Sequence, residues 1–351
     1  MECRRNARSV VLTCPSLLND CQPMGLSSLP LLFLLAAAPP MEVVPVPPVA
    51  LPMTPEAFET VLEAGGINEL SAACADSDRF GLQERLRLLR NRLMLVAPSP
   101  QPFAVVMANA RALMACKAPD STQIVLSRFG PGPGRQRKEW LLLSWQAASA
   151  ALDHDRAVLA LRRLANGNLT RLDTEQLIVG QSDDGLPLTR SALDLLANHE
   201  LAAGRPEEAV TVLLAGRTPG VVASRRLGQV AELLAPLDPE RGDLLLEAAL
   251  DQAAAEQAWG LAEDLLRLQL RLAQQQGGDA DRPRERLRRL ASRVDDRFTL
   301  LELEQMSPDL DPQRVQDLED QLRSPRAAGG HASLGESDSS EAPASNPLAT
   351  P

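Results

Sequence analysis

The chain has 351 residues, 46 acidic against 36 basic side chains and a formal net charge of −10. That balance argues against sequence-independent binding to nucleic acid or to an anionic membrane, because both need a basic surface that releases counterions. Aromatics are 3% of the chain and tyrosine is absent, while alanine, leucine, glutamate, glutamine and arginine recur, which favours helix over strand.

Residues 1–53 read as an extension. The apolar run 29–38 ends in Ala36-x-Ala38 and follows Arg4, Arg5 and Arg8, the order of a secretory signal. Pro30 interrupts it, and it is too short to span a bilayer. The rival reading places the natural start at Met41 or Met53. Pro39, Pro40, Pro45, Pro47, Pro48 and Pro52 make 39–52 an extended linker in either case.

Thr54-Pro55-Glu56 is a helix start: an N-cap, a proline where its missing N–H costs nothing, and an acid in the first turn. Phe58, Val61 and Leu62 form its apolar stripe until Gly65-Gly66. From Asp78, a helix with Leu82, Leu86, Leu89 and Leu93 on one face is expected, closed by Pro98 and Pro100. The segment 103–116 is apolar almost all round and belongs near the centre of the packing. A short helix is predicted over 120–129, followed by the flexible turn Gly130-Pro131-Gly132-Pro133-Gly134.

Helical hairpins follow: 139–152 with 156–164, 191–203 with 206–214, and 243–255 with 258–273. Further helices are expected over 221–235, 283–304 and 312–322, the last capped by Asp311 before Pro312. The tail 324–351, rich in serine, alanine, glycine and proline, has too little apolar surface to offset its ordering entropy. The expected organisation is therefore an extension at 1–53, a helical array at 54–323 and a disordered tail at 324–351.

Leu193-x2-Leu196-Ala197, followed by Gly204-Arg205-Pro206-Glu207-Glu208-Ala209, resembles a tetratricopeptide repeat. Trp140-x2-Leu143-Ser144 with Ala157, needing one extra residue in the turn, and Leu246 with Trp259 and Ala262 are similar matches over 139–275. The alanines lie 52 and 53 residues apart instead of the family's 34, so each hairpin is expected to be followed by extra sequence forming another helix. The resemblance implies an all-α fold of antiparallel hairpins stacked as an α-solenoid. It also implies a concave groove holding Trp145, Asp194, Asn198, Glu247 and Asp251, which as an acidic surface with one aromatic would suit a basic or neutral peptide. The competing reading leaves these residues as solvent-facing positions on amphipathic helices.

Chemistry is harder to find. His199-Glu200 starts an H-E-x-x-H motif, but Ala203 stands where the second histidine must be, so no zinc site is built there. Asp153-His154-Asp155 reads as a turn with an N-cap. Cys3, Cys14, Cys21, Cys74 and Cys116 form neither a disulfide framework nor a metal set, and Cys74 and Cys116 read as small core residues. With no P-loop, Rossmann fingerprint or nucleophile elbow, no catalytic residue, metal or cofactor is expected. The expected function is a non-catalytic scaffold binding a protein or peptide, cytoplasmic unless 1–38 acts as a signal, with no transmembrane span. The alternatives are an enzyme with a site scattered among helices, and nucleic-acid binding through the arginines of 282–297.

Overall fold

The computed structural model describes residues 51–96, 100–307 and 310–323, together with a backbone pairing of Arg326–Ala327 to Gly330–His331. These belong to a unit that starts at Leu51. The expected signal-like run, most of the proline linker and most of the tail lie outside the described residues.

The described chain is mostly helical. The first helices are α1 (Pro55–Ala64), α2 (Ile67–Arg79), α3 (Gln83–Val96), α4 (Phe103–Ala115), α5 (Pro119–Leu126), α6 (Arg135–Ala150) and α7 (His154–Ala165). After a 3-10 turn at Leu169–Leu172 come strands β1 (Gln176–Gln181) and β2 (Pro187–Ser191). Then follow α8 (Ala192–Ala202), α9 (Pro206–Leu214), α10 (Val221–Leu234), α11 (Pro239–Ala255), α12 (Trp259–Gln276), α13 (Asp281–Val294), α14 (Arg297–Gln305) and α15 (Pro312–Arg323). As expected, the Thr54 hydroxyl accepts the Ala57 N–H, and Pro55 occupies the first turn of α1.

Three expectations are corrected. The helix expected from Asp78 is two helices, because Gly81 turns left-handed and leaves Asp78 and Arg79 at the end of α2. The helix expected over 283–304 breaks where Asp295 takes φ +58° and Asp296 caps α14 through the Phe298 and Thr299 amides. The extra sequence after α7 is an antiparallel β-hairpin, not a helix: Leu177 pairs with Arg190 and Gly180 with Leu188 around the Asp183-Asp184-Gly185 turn. The insertion after α9 is the expected helix, α10.

One turn recurs. In α2/α3, α4/α5, α6/α7, α8/α9, α11/α12 and α13/α14 a single residue takes positive φ: Gly81, Lys117, Leu152, Gly204, Gln257 and Asp295, respectively. The following amide reaches back five residues in every case, as in Ala118 to Leu113, Asp153 to Ala148, Arg205 to Glu200 and Ala258 to Ala253. The left-handed residues are spaced 36, 35, 52, 53 and 38 residues apart. The two long intervals hold the β-hairpin and α10. Five residues beyond the turn, Thr122, Ala157, Ala209 and Ala262 are small and buried, so the paired helices can approach closely.

Apolar side chains form three clusters in chain order. The first is built on Leu86, Leu89, Leu93 and Leu113, the second on Leu161, Leu193 and Leu196, and the third on Leu246, Leu266 and Leu287. Helix α6 gives Leu143 to the first and Trp145 to the second, and α10 gives Val230 to the second and Ala231 to the third. Helix α4 packs on α2, α3, α5 and α6, the central position expected of it. Cys74 and Cys116 are both fully buried in the first cluster, the core positions expected of them, and are joined there as a disulfide with Cα atoms 4.7 Å apart. Among the described residues, no helix is long and apolar enough to cross a membrane.

Candidate partner-binding site

The five residues expected to line a groove separate into three environments. Trp145 is only 4% exposed and sits in the second cluster. Its placement follows from the turn: Leu152 is the left-handed residue, and the position seven before it is buried in Cys74, Ala110, Trp145, Ala197 and Leu250 alike. The extra residue expected in this turn is absent, so the register shifts by one and carries the indole inward.

Asp194 and Asn198 lie on α8, and each is engaged from a neighbouring element. Asp194 accepts from Arg226 Nε at 2.7 Å, and Arg226 also donates to Asp173 at 2.6 Å. Asp173 takes the backbone N–H groups of Arg217 and Thr218 as well, so α8, α10 and the loop before α10 are clamped together. Burial opposes its charge, but these donors outweigh burial and hold the carboxyl below the usual aspartate range. The Asn198 side-chain oxygen accepts from Arg190 at 3.0 Å in the amide orientation that satisfies both groups.

Glu247 and Asp251 lie on successive turns of α11. Glu247 accepts from Arg286 at 2.7 Å, Gln269 at 2.8 Å and Arg282 at 3.2 Å. Burial works against its ionisation, and the Gln269 and Arg286 hydrogen bonds overcome it, leaving the carboxyl below the ordinary glutamate range. Asp251 is exposed at the mouth of a cavity of about 550 Å³ between α11, α12 and α13. Leu250, Ala254, Leu266 and Leu290 make its apolar lining, with Trp259, 40% exposed, at the start of α12. Arg286, Arg289 and Arg293 line the side formed by α13.

The arginine run of α13 is largely committed to internal pairs. Arg282 and Arg286 meet Glu247, Arg284 meets Asp281, Arg288 and Arg289 meet Glu285, and just beyond the helix Arg297 meets Asp295. Arg293 forms no ion pair among the described residues.

A second constellation was hidden by distance in the chain. Asp153 caps α7 by accepting the Arg156 N–H, as the turn reading expects. His154, however, places Nδ1 3.1 Å from Nδ1 of His199, whose Nε2 accepts from the Trp145 indole N–H at 3.2 Å. Beside it, buried Glu200 accepts from Arg162 at 2.8 Å and Arg205 at 2.6 Å, and Arg205 continues to Asp155. These contacts span 38 to 54 residues apart from the local Arg205 bond to Glu200, so no local motif announces them.

No protein family and no curated protein matches the chain.

Proposed function

We propose that the protein is a non-catalytic interaction scaffold, a stack of tetratricopeptide-like hairpins forming an α-solenoid, whose groove between α11, α12 and α13 holds a helical or extended segment of a partner protein. The observation that carries the reading is the exposed face of Trp259 over an apolar floor, since aromatic side chains in partly desolvated pockets are the usual anchors of protein interfaces. The shared turn supports the repeat architecture. Its intervals of 35 to 38 residues, where nothing is inserted, approach the family's 34. Asp194 and Glu247 are already neutralised by arginine, which removes the acidic strip on which a basic or neutral ligand was expected. The Cys74–Cys116 bond fits the exported alternative better than the cytoplasmic one, because structural disulfides persist where thiols are not kept reduced.

The test is to pan an unbiased peptide library against the full chain and counter-screen with Trp259→Ala. Binders enriched on the wild type and lost on the variant, with melting unchanged, support the groove. Binders indifferent to Trp259, or none above background, overturn it.

A further inference from the structure

We infer that the α11–α13 groove is built for an acidic amphipathic helix, with its apolar stripe on Trp259 and its carboxylates on the arginines of α13. This rests on the groove being a binding surface at all. The lining carries three guanidinium groups, Arg286, Arg289 and Arg293, against one carboxylate, Asp251. The counter-ions of the first two, Glu247 and Glu285, lie outside the lining.

A guanidinium offers five N–H donors in a planar fork. Arg286 uses Nη1 on Glu247 and Gln269, and Arg289 uses Nε on Glu285, so each keeps donors for a second carboxylate. Among the described residues Arg293 gives none of its donors away, in a chain whose acids outnumber its bases by ten. An uncommitted cation beside an apolar cavity in such a chain is the complement of an external anion, and arginine suits carboxylate by its bidentate geometry.

The apolar half of the site argues for a helix. Leu250 and Ala254 on α11, Leu266 on α12 and Leu290 on α13 bound an apolar cavity of about 550 Å³, within the ~300–1,000 Å³ of ordinary ligand clefts. A helix that fills such a cavity from one face presents its polar residues to the rim, where the arginines stand. Single-stranded nucleic acid could also use an aromatic beside arginines. The commitment of the rest of the arginine run to internal pairs, with the chain's negative balance, favours the peptide.

The experiment is fluorescence anisotropy on the full chain with two labelled amphipathic peptides. Both carry the same leucine and phenylalanine stripe, one flanked by glutamate and aspartate and the other by lysine and arginine. The acidic peptide should bind at least about tenfold tighter than the basic one at low ionic strength and lose that advantage as salt rises. Arg293→Ala and Arg289→Ala should each weaken the acidic peptide a few fold and flatten its salt dependence, and Asp251→Asn should tighten it. Trp259→Ala should weaken both peptides. Equal or tighter binding of the basic peptide that still depends on Trp259 overturns the acidic assignment and leaves the scaffold standing. Binding of neither peptide through Trp259 overturns the amphipathic-helix assignment, and library panning that also finds no Trp259-dependent binder overturns the scaffold with it. An oligothymidylate that competes through Arg293 and Trp259, or Trp259-dependent self-association of the protein, overturns the proposal in favour of a nucleic acid or a second copy.

Discussion

The Trp145 indole has one hydrogen to give, and giving it to His199 Nε2 fixes which nitrogen of His199 carries its own proton. His199 must then carry its proton on Nδ1, donate to His154 Nδ1, and stay neutral. A second proton on His199 would set N–H against N–H at the indole. Burial, reinforced by the neighbouring His154, accordingly lowers the affinity of His199 for a proton below the ordinary histidine value. The unfolded chain protonates this residue near pH ~6.5 while the folded one resists, so its contribution is complete above that pH and is lost as pH falls below it. The melting temperature should therefore drop between about pH 7.5 and 5.5. His199→Gln, which can still accept from Trp145 but cannot titrate, should show a shallower drop. Parallel pH curves for the two proteins would show that His199 is not the titrating group. Glu263 works in the other direction. The single Thr299 hydroxyl proton faces Glu263 at 2.5 Å and Asp296 at 2.6 Å, and can serve only one of them. Burial first, and Asp296 beside it, raise the Glu263 pKa, so its contribution is complete below the ordinary glutamate pKa and fades as pH rises through the raised value. Glu263→Gln should melt no lower than the wild type at neutral pH and should gain relative to it as pH rises. A lower midpoint for the variant across the whole range would contradict the raised Glu263 pKa.

Among the elements, the recurring turn separates what the chain announces from what it conceals. At Gly204 a β-carbon would meet nothing within 4 Å, so Gly204→Ala isolates the cost of the left-handed backbone, about 1 kcal/mol. Leu152 holds the equivalent position with φ +57° and an exposed side chain, so Leu152→Gly should gain up to roughly the same amount with little packing lost. Denaturant midpoints moving in opposite directions for the two variants would verify the equivalence; two losses would contradict it. Most helix bodies were legible because apolar residues recur at three and four, and the caps at Thr54 and Asp311 and the first-turn Pro206 are local signals. Glycine marks only Gly81 and Gly204, whereas Lys117, Leu152, Gln257 and Asp295 make the same turn without it. The even 36- and 35-residue spacing near the start of the fold was therefore invisible, while the alanines that could be recognised straddled the two insertions. The β-hairpin carries a weak local signal, Ile178 and Val179 before Asp183-Asp184-Gly185, which the surrounding helix formers outweigh. The candidate site was the least legible part. Asp251 lay in a readable register, but the arginines that complete the cavity come from α13, and a one-residue shift displaced Trp145 into the core.

At the scale of the whole described unit, stability is distributed along the chain. Each apolar cluster is filled mainly by helices adjacent in sequence, and among the described residues a few helices bridge them: α6 between the first and second, α10 and, through Leu245, α11 between the second and third. When coupling runs through so few shared elements, a local perturbation should be felt most in its own cluster and progressively less beyond it. The Cys74–Cys116 bond offers a selective perturbation, because it closes a 42-residue separation entirely within the first cluster. Opening such a loop restores chain entropy to the unfolded state worth up to about 4 kcal/mol. Hydrogen exchange followed by mass spectrometry, with and without a phosphine reductant in mild denaturant, should show amides of α2, α4 and α5 losing protection on reduction while α11 and α12 keep theirs. Cys116→Ala should reproduce the reduced pattern and make the reductant irrelevant. If α11 and α12 lose protection in step with α2 and α4, the bridging helices couple the clusters into one cooperative unit; if reduction changes nothing, the bond does not form in the protein in solution. Because both sulfurs are buried, alkylation of the denatured protein before and after reduction checks that premise directly: the bond predicts that Cys74 and Cys116 are labelled only after it is cut.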